Sequence, residues 1–325
     1  MRGLGSGCGE RSLRHAVAAL WLGAVALPGF GQDILTYGEE CARRIAPVPA
    51  FDCRKGTEAL VTVDGRVPAA FQPNMNCDRP ALLPYGTGFD GQCVPYSRAL
   101  VLVDDGRTQI AAFCREKKIR GADTFLYDEI DVIAHSVTNG STCWFQATGT
   151  DPDHPLDGRR VPPPNEKTPL AGQPAAAKFW NPPAKTADEK CVTCHDSDPF
   201  MYSPFVAQTG QLPKDPFGKY TNDIGAAFRA WPQPAAVSTA GNTCVGCHRI
   251  GNLDTCKTAI HLASGKDAPG EDAWAKRFPN SHWMPAGDSD TLAAWNVIYQ
   301  ESVRKLAACC SDPKAAGCSV KPIGK

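Results

Sequence analysis

Two five-residue stretches constrain this chain more than anything else in it: Cys191-Val192-Thr193-Cys194-His195 and Cys244-Val245-Gly246-Cys247-His248. Each sets two thiols one helical turn apart and an imidazole immediately beyond them. That spacing is the pattern of covalent c-type haem attachment, in which both thiols add across porphyrin vinyl groups and the histidine turns beneath the ring to ligate iron. Two other uses of the same residues compete. A zinc site would join both C-x-x-C pairs into one four-thiolate centre, and a disulfide framework would consume the thiols alone. Both leave the histidines unexplained. With 7 His in 325 residues, chance would place one after both pairs about once in 2000 cases. The pattern therefore predicts two haem c groups, anchored by Cys191, Cys194, Cys244 and Cys247, with His195 and His248 as proximal iron ligands.

The other cysteines point to an oxidising compartment. Residues 1–31 have the form of a secretory leader: Arg2, Arg11 and Arg14 precede the apolar run Ala16 to Leu27, and Gly29-Phe30-Gly31 offers a small-residue cleavage site. An uncleaved interfacial anchor is the alternative. Of the 15 cysteines, Cys8 would leave with the leader and four serve the motifs. The remaining ten fall into six upstream (Cys41, Cys53, Cys77, Cys93, Cys114, Cys143) and four downstream (Cys256, Cys309, Cys310, Cys318). Both groups are even, as two stapled regions of an exported protein would be. Adjacent Cys309 and Cys310 are poorly placed to bond each other, so each should take Cys256 or Cys318. The six upstream allow about 15 connectivities and the sequence does not choose among them.

Composition adds exclusions. Without the leader the chain has 31 basic and 33 acidic residues, a formal charge of −2, which gives no footing for nucleic acid. No second apolar run approaches the length of a membrane span, so no integral membrane segment is expected after leader removal.

Length and pattern predict two domains: an N-terminal, disulfide-stapled, mainly β domain over 32–150, a Pro-rich linker over 151–185, and a mainly α di-haem domain over 186–325. Strand-like runs occur at Ala59 to Val63, Ala99 to Val103, Gln109 to Cys114, Phe125 to His135 and Ser141 to Ala147. Asp105-Gly106 and Asn139-Gly140 mark hairpins. The opening segment, rich in Pro, Gly and Cys, is expected to be irregular. His135 suggests a hydrogen-bonded strand residue, Arg115 to Arg120 a solvated loop, and Trp144 with Phe145 packing against the Cys143 disulfide. In the C-terminal half, Thr186 or Asp188 should cap a short helix carrying the first motif. Phe200, Tyr202 and Phe205 should wall its haem. Helices are expected at Asn222 to Trp231, Glu271 to Phe278 and Ser289 to Cys309, the last with an apolar face of Leu292, Trp295, Tyr299, Val303 and Leu306 after an Asp288/Ser289 cap.

The motifs supply proximal ligands only. Candidates for the opposite faces are Met75, Met201 and Met284 with His135, His154, His261 and His282. Met284, stiffened by Pro285, is the strongest, and a thioether there favours Fe(II) and raises the potential. His282 shares an extended Ser281-His282-Trp283-Met284 run and could serve either haem or a propionate. His261 follows the second motif by 13 residues and could reach either iron. Met201 is too close to His195 to cross the ring easily.

The region from about 186 to 318 resembles c-type cytochromes, on the two C-x-x-C-H motifs and on Met284-Pro285 followed by a terminal helix, which looks like the distal side of a class I cytochrome c. The resemblance implies haem-mediated electron transfer in a bacterial periplasmic or extracellular space, with redox proteins as partners. A single Met-Pro for two haems departs from a plain tandem of class I domains. The leading expectation is a carrier of single electrons. A di-haem oxidoreductase of the peroxidase kind, with one open iron and Glu271 or His282 as its acid or base, is the enzyme alternative. A redox-reporting binding module is the third.

Overall fold

A computed structural model describes residues 32–70, 75, 77–81, 93–151, 153–220, 222–265 and 270–324, and the expected leader lies outside them. The architecture is set by hairpins. Strands β1 (Thr57–Glu58), β2 (Arg98–Asp104), β3 (Thr108–Arg115), β4 (Leu126–Tyr127), β5 (Glu129–Ser136), β6 (Ser141–Thr148), β7 (Leu156–Asp157) and β8 (Asn222–Asp223) contribute two sheets. The larger has six strands in the order β1-β2-β3-β5-β6-β8, antiparallel except where β8 runs parallel to β6. Both expected turns are present, and Gly106 and Gly140 adopt the positive φ that such hairpins require. The expected strand at Ala59 to Val63 is instead a bridge at Thr62 and Val63, with β1 two residues earlier, because this segment pairs only briefly with Arg79 and Arg66.

Register assigns the two faces. Ile110, Ala112 and Cys114 lie opposite Ala134, Val132 and Ile130, which lie opposite Cys143, Phe145 and Ala147. All nine are buried, and a fully buried Ile, Val or Phe contributes about 1.5–3 kcal/mol. This apolar face is covered by helix α1 (Ile34–Arg44), through Tyr37 against Phe145 (ring centroids 5.1 Å apart) and the Cys41–Cys143 disulfide. The expectation of an irregular opening segment missed α1. Asp33 caps it, accepting from Thr36 N at 2.9 Å, and Ile34, Tyr37, Gly38 and Cys41 form its buried stripe.

The Pro-rich stretch is no break in packing. Helices α2 (Ala176–Phe179) and α3 (Pro183–Asp188) follow it. Trp180 is buried against Phe145, donates Nε1–H to the Pro162 carbonyl at 2.9 Å, and Val161 bridges Phe51. The described residues pack as one compact unit, so the expected linker between two domains is a wall of a shared core.

The C-terminal half holds helices α4 (Pro204–Ala207), α5 (Asp254–Lys257), α6 (Glu271–Arg277) and α7 (Leu292–Ser311), with β9 (Ala235–Thr239) pairing antiparallel to β10 (Cys318–Pro322). Thr291, not Asp288 or Ser289, caps α7, accepting from Ala294 N at 3.1 Å. Asn222 to Trp231 is β8 followed by a 3-10 turn, because Gly225 at φ 106° interrupts any helix. Among the described residues no helix is long and apolar enough to cross a membrane.

Among the described residues, the ten cysteines outside the motifs are all paired: Cys41–Cys143, Cys53–Cys114, Cys77–Cys93, Cys256–Cys310 and Cys309–Cys318. Consecutive positions on α7 point about 100° apart, which sends Cys310 to α5 and Cys309 to β10. The four described cysteines left as thiols are Cys191, Cys194, Cys244 and Cys247.

Candidate functional site

The second face of the large sheet alternates with the first and is mostly polar. Gln109, Glu129, His135, Thr142 and Gln146 are nevertheless buried: Phe200 and Tyr220 lie against His135, Asn181 bonds Gln146, and Arg115 and Lys117 pair with Glu129. Trp144 on this face sets its ring edge-on to His195 (centroids 5.2 Å) and packs on Trp231 (5.6 Å). Phe113 packs edge-on against Phe205, and His135 against Phe200. Trp144 thus abuts the first motif rather than the Cys41–Cys143 disulfide, while Phe145 points to the opposite side. His135 is the hydrogen-bonded strand residue expected, sharing a proton with Thr142 Oγ1 at 3.0 Å. The Arg115 to Arg120 segment is no solvated loop: Arg120 forks onto Asp128 at 2.6 and 2.9 Å, and Lys117 reaches Glu129 at 3.0 Å.

Helix α3 ends at Asp188, and Lys190 adopts a left-handed φ of 52° that redirects the chain into a separate 3-10 turn, Cys191–Thr193. Thr186 and Asp188 therefore lie inside α3 rather than capping a helix that carries the first motif, and the motif follows α3. The second occupies a matching 3-10 turn, Cys244–Gly246. In both, the histidine is held through Nδ1: His195 to the Pro199 carbonyl at 2.8 Å and His248 to the Arg249 carbonyl at 2.8 Å. A carbonyl only accepts, so Nδ1 carries the proton and Nε2 presents its lone pair, the tautomer and the outer support that a metal-binding imidazole requires. Burial pushes the His195 pKa down to about 4, which keeps that lone pair available at neutral pH.

Three of the four thiols are held as poor nucleophiles. Burial raises Cys191 far above its ordinary value and Cys194 to about 11, the latter helped by Asp254, whose Oδ2 accepts from Cys194 Sγ at 3.4 Å. Burial raises Cys244 as well. Disulfide exchange and nucleophilic catalysis need thiolates, and these environments oppose them. Among the described residues no group of three or more His, Cys, Asp or Glu side chains converges to hold a metal ion, so the four thiols do not form one tetrahedral centre. Four unpaired thiols and two Nε2-presenting imidazoles fit covalent haem attachment.

The motifs are tied to each other. Asp196, fully buried, accepts from Leu253 N at 2.5 Å, Thr255 N at 3.3 Å and Thr255 Oγ1 at 2.5 Å. Arg249 donates to the Ser197 carbonyl at 2.8 Å and the Gly218 carbonyl at 2.6 Å, and meets Asp198 at 3.3 Å. Gly251 makes this closeness possible, since a Cβ there would collide with the Asp196 carboxylate. The residues just beyond each histidine thus hold the two sites side by side. Asp196, Asp254, Arg249 and Gly251 carry no motif that singles them out in the sequence.

The expected walls and distal ligands are placed unevenly. Phe200 is buried beside His135, and Tyr202 donates its hydroxyl to the Pro213 carbonyl at 2.6 Å. Phe205 turns away into a separate cluster with Ala59, Val61, Cys77 and Cys93, with Met75 packed against it. Met284 is half-buried: its N–H donates to the Ala263 carbonyl at 2.9 Å and its carbonyl accepts from Trp295 Nε1 at 2.8 Å. Along α7, Tyr299 and Val303 run from the Trp295 cluster to that of Cys244. His282 is buried with Nε2 3.0 Å from Glu271 Oε1. Residues 281–284 turn rather than extend, so His282 and Met284 are not presented alike. His261 is exposed on the 3-10 turn Ala259–Leu262, and His154 is exposed against Asp151.

No protein-family model, no curated protein and no solved structure matches this chain.

Proposed function

We propose that this chain is an exported bacterial c-type cytochrome with two covalent haems, passing single electrons between redox partner proteins in a periplasmic or extracellular space. One observation carries this reading. Ten cysteines close into five disulfides, and the four in the C-x-x-C-H motifs stay unpaired, each pair followed by an imidazole with its Nδ1 proton committed to a carbonyl. Bound haem supplies an iron that changes oxidation state by one electron. Cys191, Cys194 and His195 would hold one group, and Cys244, Cys247 and His248 the other. Asp196 and Arg249 tie the two motifs together, Trp144 and Phe200 would exclude water from the first group, and α7 with Tyr299 would flank the second. Met284 would serve the second haem, a reading supported by Trp295, which ties its backbone to the helix that also packs on Cys244. The five disulfides suit the oxidising compartment in which c-type haems are attached and used.

A second reading, the peroxidase kind with one open iron, has one observation in its favour. Asp131, on the sheet face toward Cys191, is held well above the usual carboxylate range by burial and by Glu129. It is an acid close to the first motif, where the sequence offered only Glu271 and His282. Optical titration separates the two. Low-spin signals from both haems and two one-electron steps support the carrier. A high-spin signal shifted by cyanide or peroxide supports the enzyme.

A further inference from the structure

Set position by position, the two motifs differ in depth. Val192 has no accessible surface, whereas its counterpart Val245 is half-buried. Thr193 and Cys194 are half-buried, whereas Gly246 and Cys247 are exposed. Both motifs would carry the same group, so the contrast belongs to the protein around them. The first has the polar sheet face over it, with Trp144 on His195, and the Asp254 carboxylate on Cys194. The second ends on open surface: a Cβ at Gly246 or Gly241 would meet nothing within 4 Å, and Ala240, Gly241 and Thr243 leading into it are exposed.

Resting on the reading above, we propose that the second motif is the port through which this protein exchanges electrons with its partners, and that the first is an interior site reached through the second. The partner must bring the edge of its own redox group onto the surface made by Ala240, Gly241, Gly246 and Cys247. Electrons would then cross the Asp196–Arg249 junction, the one oxidised as the other is reduced, with no net chemistry at the protein. A small anionic oxidant such as ferricyanide is the simplest partner that tests this, because it accepts one electron and its approach is steered by local charge.

Gly246 and Ala240 tolerate side chains, and neither holds haem. The reduced holoprotein is mixed with ferricyanide at low ionic strength, as wild type and as Gly246→Lys, Gly246→Glu, Ala240→Lys and Ala240→Glu. Glu189, exposed and two residues before Cys191, supplies Glu189→Lys and Glu189→Gln as the first-motif pair. The port at the second motif requires the Lys variant to outpace the Glu variant by about fivefold at position 246 or 240, with the difference collapsing in high salt. Changes at position 189 should then alter the rate by well under twofold. A charge effect confined to position 189, or equal at both places, overturns the proposal while leaving the cytochrome reading intact. A haem-free protein would overturn that reading instead. If the Gly246 variants fail to mature, the Ala240 pair makes the same comparison and decides in the same way.

Discussion

Gly251 has no room for a side chain, because the Asp196 carboxylate that gathers Leu253 and Thr255 lies against its Cα. Gly251→Ala should therefore lower stability by about 1–3 kcal/mol, seen as an earlier midpoint in chemical denaturation, and an unchanged midpoint would contradict this packing. Met284→Ala should abolish a sulfur-to-iron charge-transfer band and lower the potential of one haem while the other is unmoved; a persisting band would remove Met284 as a ligand. The proposed anchors Cys191, Cys194, His195, Cys244, Cys247 and His248 stand out in the sequence because the pattern is local, a matter of spacing within five residues. Asp196 and Thr255 are 59 residues apart, and Arg249 and Ser197 are 52 apart. Only the fold brings such pairs together. His282 read as an iron or propionate partner beside Met284, yet it faces the Glu271 carboxylate from α6.

Among the elements, β2, β3, β5 and β6 were readable from runs rich in β-branched and aromatic residues and from two turn dipeptides, and α7 from its 3.6-residue period. Helix α1 was not, since its buried stripe includes Gly38 and Cys41, which do not register as apolar helix positions. Its role can be tested. The Cys41–Cys143 bond ties α1 to β6 across a sequence separation of 102, so replacing both cysteines by serine should cost about 2–5 kcal/mol. The loss should appear as increased hydrogen exchange in α1, whereas protection equal to that of the intact protein would mean that Tyr37 and Ile34 alone hold the helix. The first motif shows why element boundaries were hard to place. Lys190 needs a left-handed backbone that no propensity marks, and it separates α3 from the 3-10 turn Cys191–Thr193.

For the whole molecule, the division into two domains was expected because proline is dense over 151–185 and because the cysteines outside the motifs fall into even groups on either side of it. The polar face of β5 and β6 would meet water in a separate domain, and here it meets the first motif. The burial has a pH signature. His135, within this interface, has its pKa pushed down to about 4 by burial. Between pH 6.5 and about 4 the unfolded chain binds a proton that the folded one refuses, so stability from this group is full above 6.5 and is lost as pH falls toward 4. Burial also raises Asp223 to about 6 and Glu116 to about 8, and these act in the opposite direction, losing stability as pH rises. Comparison with His135→Gln isolates the histidine: the variant's acid-side loss should be smaller by on the order of 3 kcal/mol in denaturation at pH 7 and pH 4. Equal losses would put His135 in contact with water. The central claim, that two thiol pairs and two imidazoles hold porphyrin iron, is tested most directly by the intact mass of the denatured protein purified from a host that matures c-type haem. Covalent attachment predicts a coloured chain heavier than its polypeptide by two haems, and a colourless chain at the bare polypeptide mass would contradict it.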